Sequence, residues 1–143
     1  MAEIINLQRT IALNASVFTP FAISLRSAVE EVAARNFAVA LISDRRMKEL
    51  NKFFRSKDSM TDVLSFPYEA DEFDPNKNNL GDVVISVEQA KRQAEQNGLT
   101  LECEIKQLIL HGVLHLCGYD HETDNGEMNA REMELRKEFH IEG

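Results

Sequence analysis

The run Leu108–Cys117 constrains this chain most, because apart from His111 and His115 it holds only apolar residues and glycine. A helix that is apolar all round is a buried helix, and a buried imidazole is costly unless its nitrogens find partners. Residues four apart project from one helical face, so the two rings lie about a turn apart. Gly118 can take the left-handed conformation that ends a helix, and the chain then folds back with His121 at the same point in space. Three of the four histidines thus fall within the eleven residues 111–121. Three neutral imidazoles with a fourth position left for water suit a catalytic Zn²⁺ site. Imidazole also suits other divalent transition metals such as Ni²⁺, so the metal itself is open. The competing reading is two core histidines bonded to backbone, with His121 an unrelated loop residue; the triplet favours metal.

The spacing matches the metzincin protease pattern H-E-x-x-H-x-x-G-x-x-H, with one change. Gly112 stands where the glutamate base would be. Without that carboxylate nothing at this position takes a proton from bound water or passes it to a leaving amine. The pattern therefore argues for hydrolysis or transfer chemistry and against a conventional peptidase.

A length of 143 residues fits one domain spanning 1–143. No apolar run is long enough to cross a bilayer, and the N-terminus shows no secretory signal pattern. Cys103 and Cys117 have no framework spacing, so both are read as reduced and a cytoplasmic location is expected. Cys117 reads as a small buried hydrophobe rather than a ligand. The net charge of −8 is the wrong sign for wrapping nucleic acid non-specifically, so charge distribution matters more than the total. Six of the sixteen Lys and Arg residues fall between Arg45 and Lys57, against the single acid Glu49. Arg45 and Arg46 in a first helical turn oppose the helix dipole, a cost that phosphate binding would justify; the competing reading is an ordinary exposed basic helix. Arg55 can present a planar fork to a phosphate oxygen pair, which lysine cannot.

Local patterns predict strands near Glu3–Leu7, Phe37–Ile42, Thr61–Phe66 and Asp82–Ile85. Helices are expected from Thr19-Pro20 to about Arg35, from Ser43 or Asp44 to about Phe53, and from a Ser86/Gln89 capping box to Gly98. Thr100 caps the histidine helix, and an Asp124/Glu127 box opens a last helix to about Phe139 that carries Met128, Leu135 and Phe139 toward the core. Residues Tyr68–Asn79 read as a solvated acidic loop. The mixture suggests a small α+β or α/β sheet with the histidine helix on one face.

These motifs resemble the YbeY family, the bacterial rRNA-maturation endoribonucleases. The resemblance rests on His111 to His121, on Asn51–Arg55 running into Thr61–Pro67, and on Gly81–Ser86. It implies a zincin-like α+β fold, with a small mixed four-stranded sheet packed with helices. It also implies a metal at His111, His115 and His121, and Arg55 as a catalytic residue. The implied activity is single-strand-specific, metal-dependent endoribonuclease action in 16S rRNA 3′-end maturation and ribosome quality control. The implied partners are 16S rRNA, the small ribosomal subunit and its assembly proteins, with no DNA and no membrane. In that role Arg55 clamps the scissile phosphate and the metal activates water or polarises a phosphoryl oxygen. Asp120 and Glu122 flank His121 and could orient a histidine nitrogen or be plain loop acids; no general base is identifiable. Two alternatives stand beside this reading: a metallopeptidase-like hydrolase with a base from elsewhere, and a non-catalytic ribosome-assembly factor with a structural metal.

Overall fold

Short apolar strands covered on both faces have few places to go except the middle of a sheet, and β2 (Asn36–Ile42) shows this. It lies between β1 (Ala2–Asn6) and β4 (Asn79–Ser86) and is parallel to both. β3 (Val63–Pro67) pairs antiparallel with β4 and forms an edge, so the order is β1-β2-β4-β3. The computed structural model describes residues 2–55, 61–69, 71–120 and 122–142, the side chain of Arg55 excepted. Among the described residues five α-helices complete the α+β fold: α1 (Thr19–Ala28), α2 (Asp44–Arg55), α3 (Val87–Asn97), α4 (Leu101–Leu116) and α5 (Glu127–Glu138). The mixed four-stranded sheet expected from the sequence is present.

Side chains alternate across the strands. Val83 and Ile85 of β4 face the main core with Val39 and Leu41, whereas Val84 joins Ile42, Leu64 and Met47 on the opposite face. That second face is covered by α2, whose exposed side carries Arg45, Arg46, Lys48 and Lys52. Ser43 Oγ accepts from Arg46 N at 3.2 Å to start α2. The Ser86 hydroxyl accepts from Gln89 N, and Gly98 ends α3, as the sequence implied. The acids of the loop after β3 are largely solvated: Glu69, Asp71 and Glu72 are exposed.

β3 starts at Val63 rather than Thr61 and includes Pro67, and β4 runs from Asn79 to Ser86, beyond the expected Asp82–Ile85; two further boundaries, at helices, differ more. α1 stops at Ala28 instead of Arg35, and residues Glu30–Val32 form a 3₁₀ turn. Leu25, Val29 and Val32 are all buried, as helical spacing suggested, but a 3₁₀ turn presents 29 and 32 inward equally well. The tighter turn lets the chain reverse into β2. At the other end, Asp124 lies two residues before the α5 cap at Gly126; it accepts from Gly126 N at 2.9 Å and Met128 N at 2.9 Å rather than forming a box with Glu127. Met128 and Leu135 are buried and Phe139 packs on them, as expected.

The placement of α4 governs the rest. Leu108, Ile109, Leu110, Val113, Leu114 and Leu116 are all buried, between the sheet, α3 and α5. Gly112 sets the closeness of helix to sheet: a Cβ there would stand 2.5 Å from Val83 Cγ1 and 2.9 Å from Val83 Cγ2. Ser65 Oγ donates to the Gly112 carbonyl at 3.1 Å, tying the edge strand to the same point. Val83 is fully buried and has no room to yield. Gly112→Ala should therefore destabilise by roughly 1–3 kcal/mol through overpacking. In chemical denaturation, adding Val83→Ala should recover part of that loss, which a simple propensity effect would not produce.

Candidate metal centre and active-site cleft

Thr100 Oγ1 accepts from Cys103 N at 3.0 Å and starts α4, which then carries both histidines to its far end. After Leu116 the chain needs a sharp reversal, and Gly118 supplies it at φ +104°. Gly118 N donates to His115 O at 3.0 Å and Tyr119 N to Leu114 O at 3.2 Å. This turn swings the Tyr119 carbonyl back against the helix, 3.0 Å from His115 Nδ1. From α5, Glu132 Oε1 lies 2.5 Å from His111 Nδ1. The two imidazoles are 4.9 Å apart between centroids and inclined at 75°.

These contacts decide the tautomers. A carbonyl oxygen and a carboxylate can only accept, so each ring places an N–H on Nδ1, and in the neutral ring the lone pair is then on Nε2. That is the state in which imidazole binds a metal, and a carboxylate or carbonyl behind the ring is the usual means of fixing it. Glu132 is itself only 5% exposed, and its other oxygen accepts from Arg136. Burial alone would raise its carboxyl pKa, but the hydrogen bond from His111 together with the Arg136 guanidinium outweighs that and holds it below the ordinary carboxylate range. A metal held through Nε2 fits this arrangement.

His111 and His115 open into a cavity of about 660 Å³. Its walls are β3 with the residues just before it, Gly118 to Asp120, and Glu122. The structure thus brings two of the expected ligands together beside the strand segment Thr61–Pro67. His121 lies outside the described residues, and among the described residues no three His, Cys, Asp or Glu side chains group to hold an ion. Arg55 is the last residue of α2, and its side chain also lies outside what is described. Asp120 Oδ1 accepts from Glu122 N at 3.0 Å, organising its own turn. Burial pushes the Cys117 thiol up to about 11, consistent with a neutral packing residue.

Three functional supports were not visible in the sequence. Glu132 was one, and the Tyr119 carbonyl another. The third is Glu31 in the 3₁₀ turn, which accepts from Arg131 Nε at 2.8 Å and Arg131 Nη2 at 2.9 Å, and from the Tyr119 hydroxyl at 2.9 Å. This ties the Tyr119 turn, and through it His115, to α5 and to the sheet.

The endoribonuclease YbeY family model matches residues 4–140. The chain belongs to the YbeY family of endoribonucleases. It is 50% identical over 107 residues to endoribonuclease YbeY of Nautilia profundicola, covering 75% of this chain and 74% of that one. Against endoribonuclease YbeY of Sulfurovum sp. the identity is 36% over 141 residues, covering 97% and 92%. The solution structure of TM1509 from Thermotoga maritima superposes with a TM-score of 0.65 at 27% identity, over 98% of this chain and 92% of that one. The sequence resemblance to YbeY and the expected fold are thus both upheld.

The Arg131 bond holds the Glu31 carboxyl down, from an ordinary 4.5 to about 2. The stability it contributes is present above pH 4.5 and lost as pH falls toward 2. Glu31→Gln should cost roughly 1.5–3 kcal/mol near neutrality, as expected for charge-assisted bonds. In denaturation curves at several pH values, the gap between wild type and variant should close on acidification through that window; a constant gap would contradict the assignment.

Proposed function

We propose that this protein is a metal-dependent endoribonuclease that cleaves single-stranded RNA and acts, as one domain, in 16S rRNA 3′-end maturation and ribosome quality control. The observation that carries the reading is the pair of histidines whose Nδ1 atoms face Glu132 and the Tyr119 carbonyl, at one wall of a cleft bordered by an edge strand. In this reading His111, His115 and His121 hold the ion, Zn²⁺ by preference with Ni²⁺ as an alternative. The bound ion supplies Lewis acidity at the scissile phosphate. Glu132 and the Tyr119 carbonyl keep the imidazoles oriented and correctly protonated. Arg55, which follows the basic face of α2, clamps the phosphate and offsets charge developing in the transition state.

The surface leading to the cleft suits a single strand. Phe53 is 81% and Phe54 57% exposed, and both follow Lys48 and Lys52 on α2. Phe54 packs edge-on against Phe66 of β3 with centroids 5.0 Å apart, next to the cleft residues Ser65 and Pro67. Unpaired bases stack on exposed aromatic rings while lysines follow the phosphates. The charge distribution therefore gives an acidic protein a local basic, aromatic approach to RNA. The small ribosomal subunit and its assembly proteins are the partners this role requires, in the cytoplasm.

The peptidase alternative is disfavoured by Gly112, whose place against Val83 leaves no space for a glutamate. The deciding experiment is cleavage of single-stranded RNA by metal-loaded, chelated and zinc-restored protein. Activity should disappear with the metal and return with it, His115→Ala should be inactive, and Arg55→Lys should lose about 10²-fold or more while keeping its metal. Cleavage that survives chelation and both substitutions would overturn the reading. Separately, Glu132→Ala should weaken zinc binding about 10–100-fold in a competition titration.

A further inference from the structure

Beyond His111 the cleft continues along α4 into a second cavity of about 230 Å³. Asp62, Val63 and His111 border both cavities. On α4 its floor is Glu104, Gln107 and Leu108, which with His111 occupy one helical face at spacings of three and four. Gln93 and Asn97 of α3 form one rim and Arg136 of α5 the other.

Glu104 is the unusual residue. It is only 4% exposed, its Oε1 accepts a long 3.3 Å hydrogen bond from Asn97, and its carboxylate borders the cavity. A buried carboxylate so weakly held costs stability, and burial pushes its pKa up. Beside it, Arg136 Nε is buried with no hydrogen-bond partner among the described residues.

The wall chemistry selects a ligand class. A phosphate is a poor match, because Asp62 and Glu104 outnumber Arg136, whose guanidinium already serves Glu132. Val63 and Leu108 offer apolar surface to a flat ring, while an inward carboxylate and side-chain amides offer acceptors and donors to its edge. That combination reads the Watson–Crick edge of an unstacked base. Guanine alone presents two adjacent N–H donors to a carboxylate, with a carbonyl acceptor beside them for a side-chain amide donor such as Gln93.

Resting on the endoribonuclease reading, we propose that this cavity is a base-binding subsite adjoining the metal centre, in which Glu104 selects guanine next to the position of cleavage. Glu104 is here a specificity residue that takes no part in bond breaking.

The test is equilibrium binding of zinc-loaded protein to cleavage-resistant uridine dodecamers with 2′-O-methyl and phosphorothioate substitution, carrying one central guanine, adenine, cytosine or uracil. Wild type should bind the guanine oligonucleotide about tenfold or more tightly than the others. Glu104→Gln keeps the side-chain volume and removes a buried charge, so it should fold; its thermal melt checks this. It should lose the guanine advantage while binding the all-uridine oligonucleotide as wild type does. Asn97→Ala, at the rim, should reduce the advantage in part. Equal affinity for all four, or a guanine advantage intact in Glu104→Gln, would overturn the subsite alone. Failure to bind any oligonucleotide would instead sink the RNA reading, and the subsite with it.

Discussion

Burial of α4 on almost its whole circumference is the constraint on which the other features depend. Once Leu108 to Leu116 are committed to the core, each polar atom on that helix must be answered by a neighbour rather than by water. α5 answers His111 with Glu132, and the turn after Gly118 answers His115 with the Tyr119 carbonyl. Arg136 in turn answers Glu132, and Glu31 anchors both Tyr119 and Arg131. The histidine pair of the candidate metal centre is thus the end of a chain of charge and hydrogen-bond compensation. That chain begins with a hydrophobic packing decision.

Such compensation explains what was legible in the sequence and what was not. Thr100, Ser86 and Gly98 act within a few residues of themselves, so their capping roles could be read from local order. The same holds for the apolar periodicity of α4 and for the strands flanking it, which is why the α+β class and the mixed sheet were accessible. The close spacing of His111 and His115 placed them together by helical geometry alone. Glu132 lies 21 residues from His111 on a helix that also carries Glu127, Glu134 and Glu138, and nothing in its sequence context separates it from those acids. Glu31 meets Arg131 across 100 positions, with the same result. The overlong first helix has a related cause. Burial spacing at Leu25, Val29 and Val32 fits two kinds of helix, and only the need to reverse into β2 chooses between them.

The electrostatics show the same division between total and arrangement. A net charge of −8 describes the whole chain, but the exposed basic face of α2 and the acids after β3 are kept apart on different elements. Phosphate contacts made through α2 would release counterions locally, so binding should be steeply salt-dependent despite the acidic total. Inside the cleft the balance reverses, with Asp62, Asp120 and Glu122 among its walls.

Gly112 also limits where the family's chemistry can travel. A glutamate base is a small change at the level of one codon, and the histidine spacing would otherwise accept it. In the folded protein, however, any side chain at 112 meets Val83 of β4 and Ser65 of β3. Placing a carboxylate there would require the helix to rise off the sheet, which would carry His111 away from Glu132 and break the Ser65 bond to the Gly112 carbonyl. Intermediates on that route would lose the His111–Glu132 contact before gaining a base. The barrier between this nuclease-type site and a glutamate-assisted peptidase is thus mechanical: a valley of poorly packed sequences lies between two functional ones.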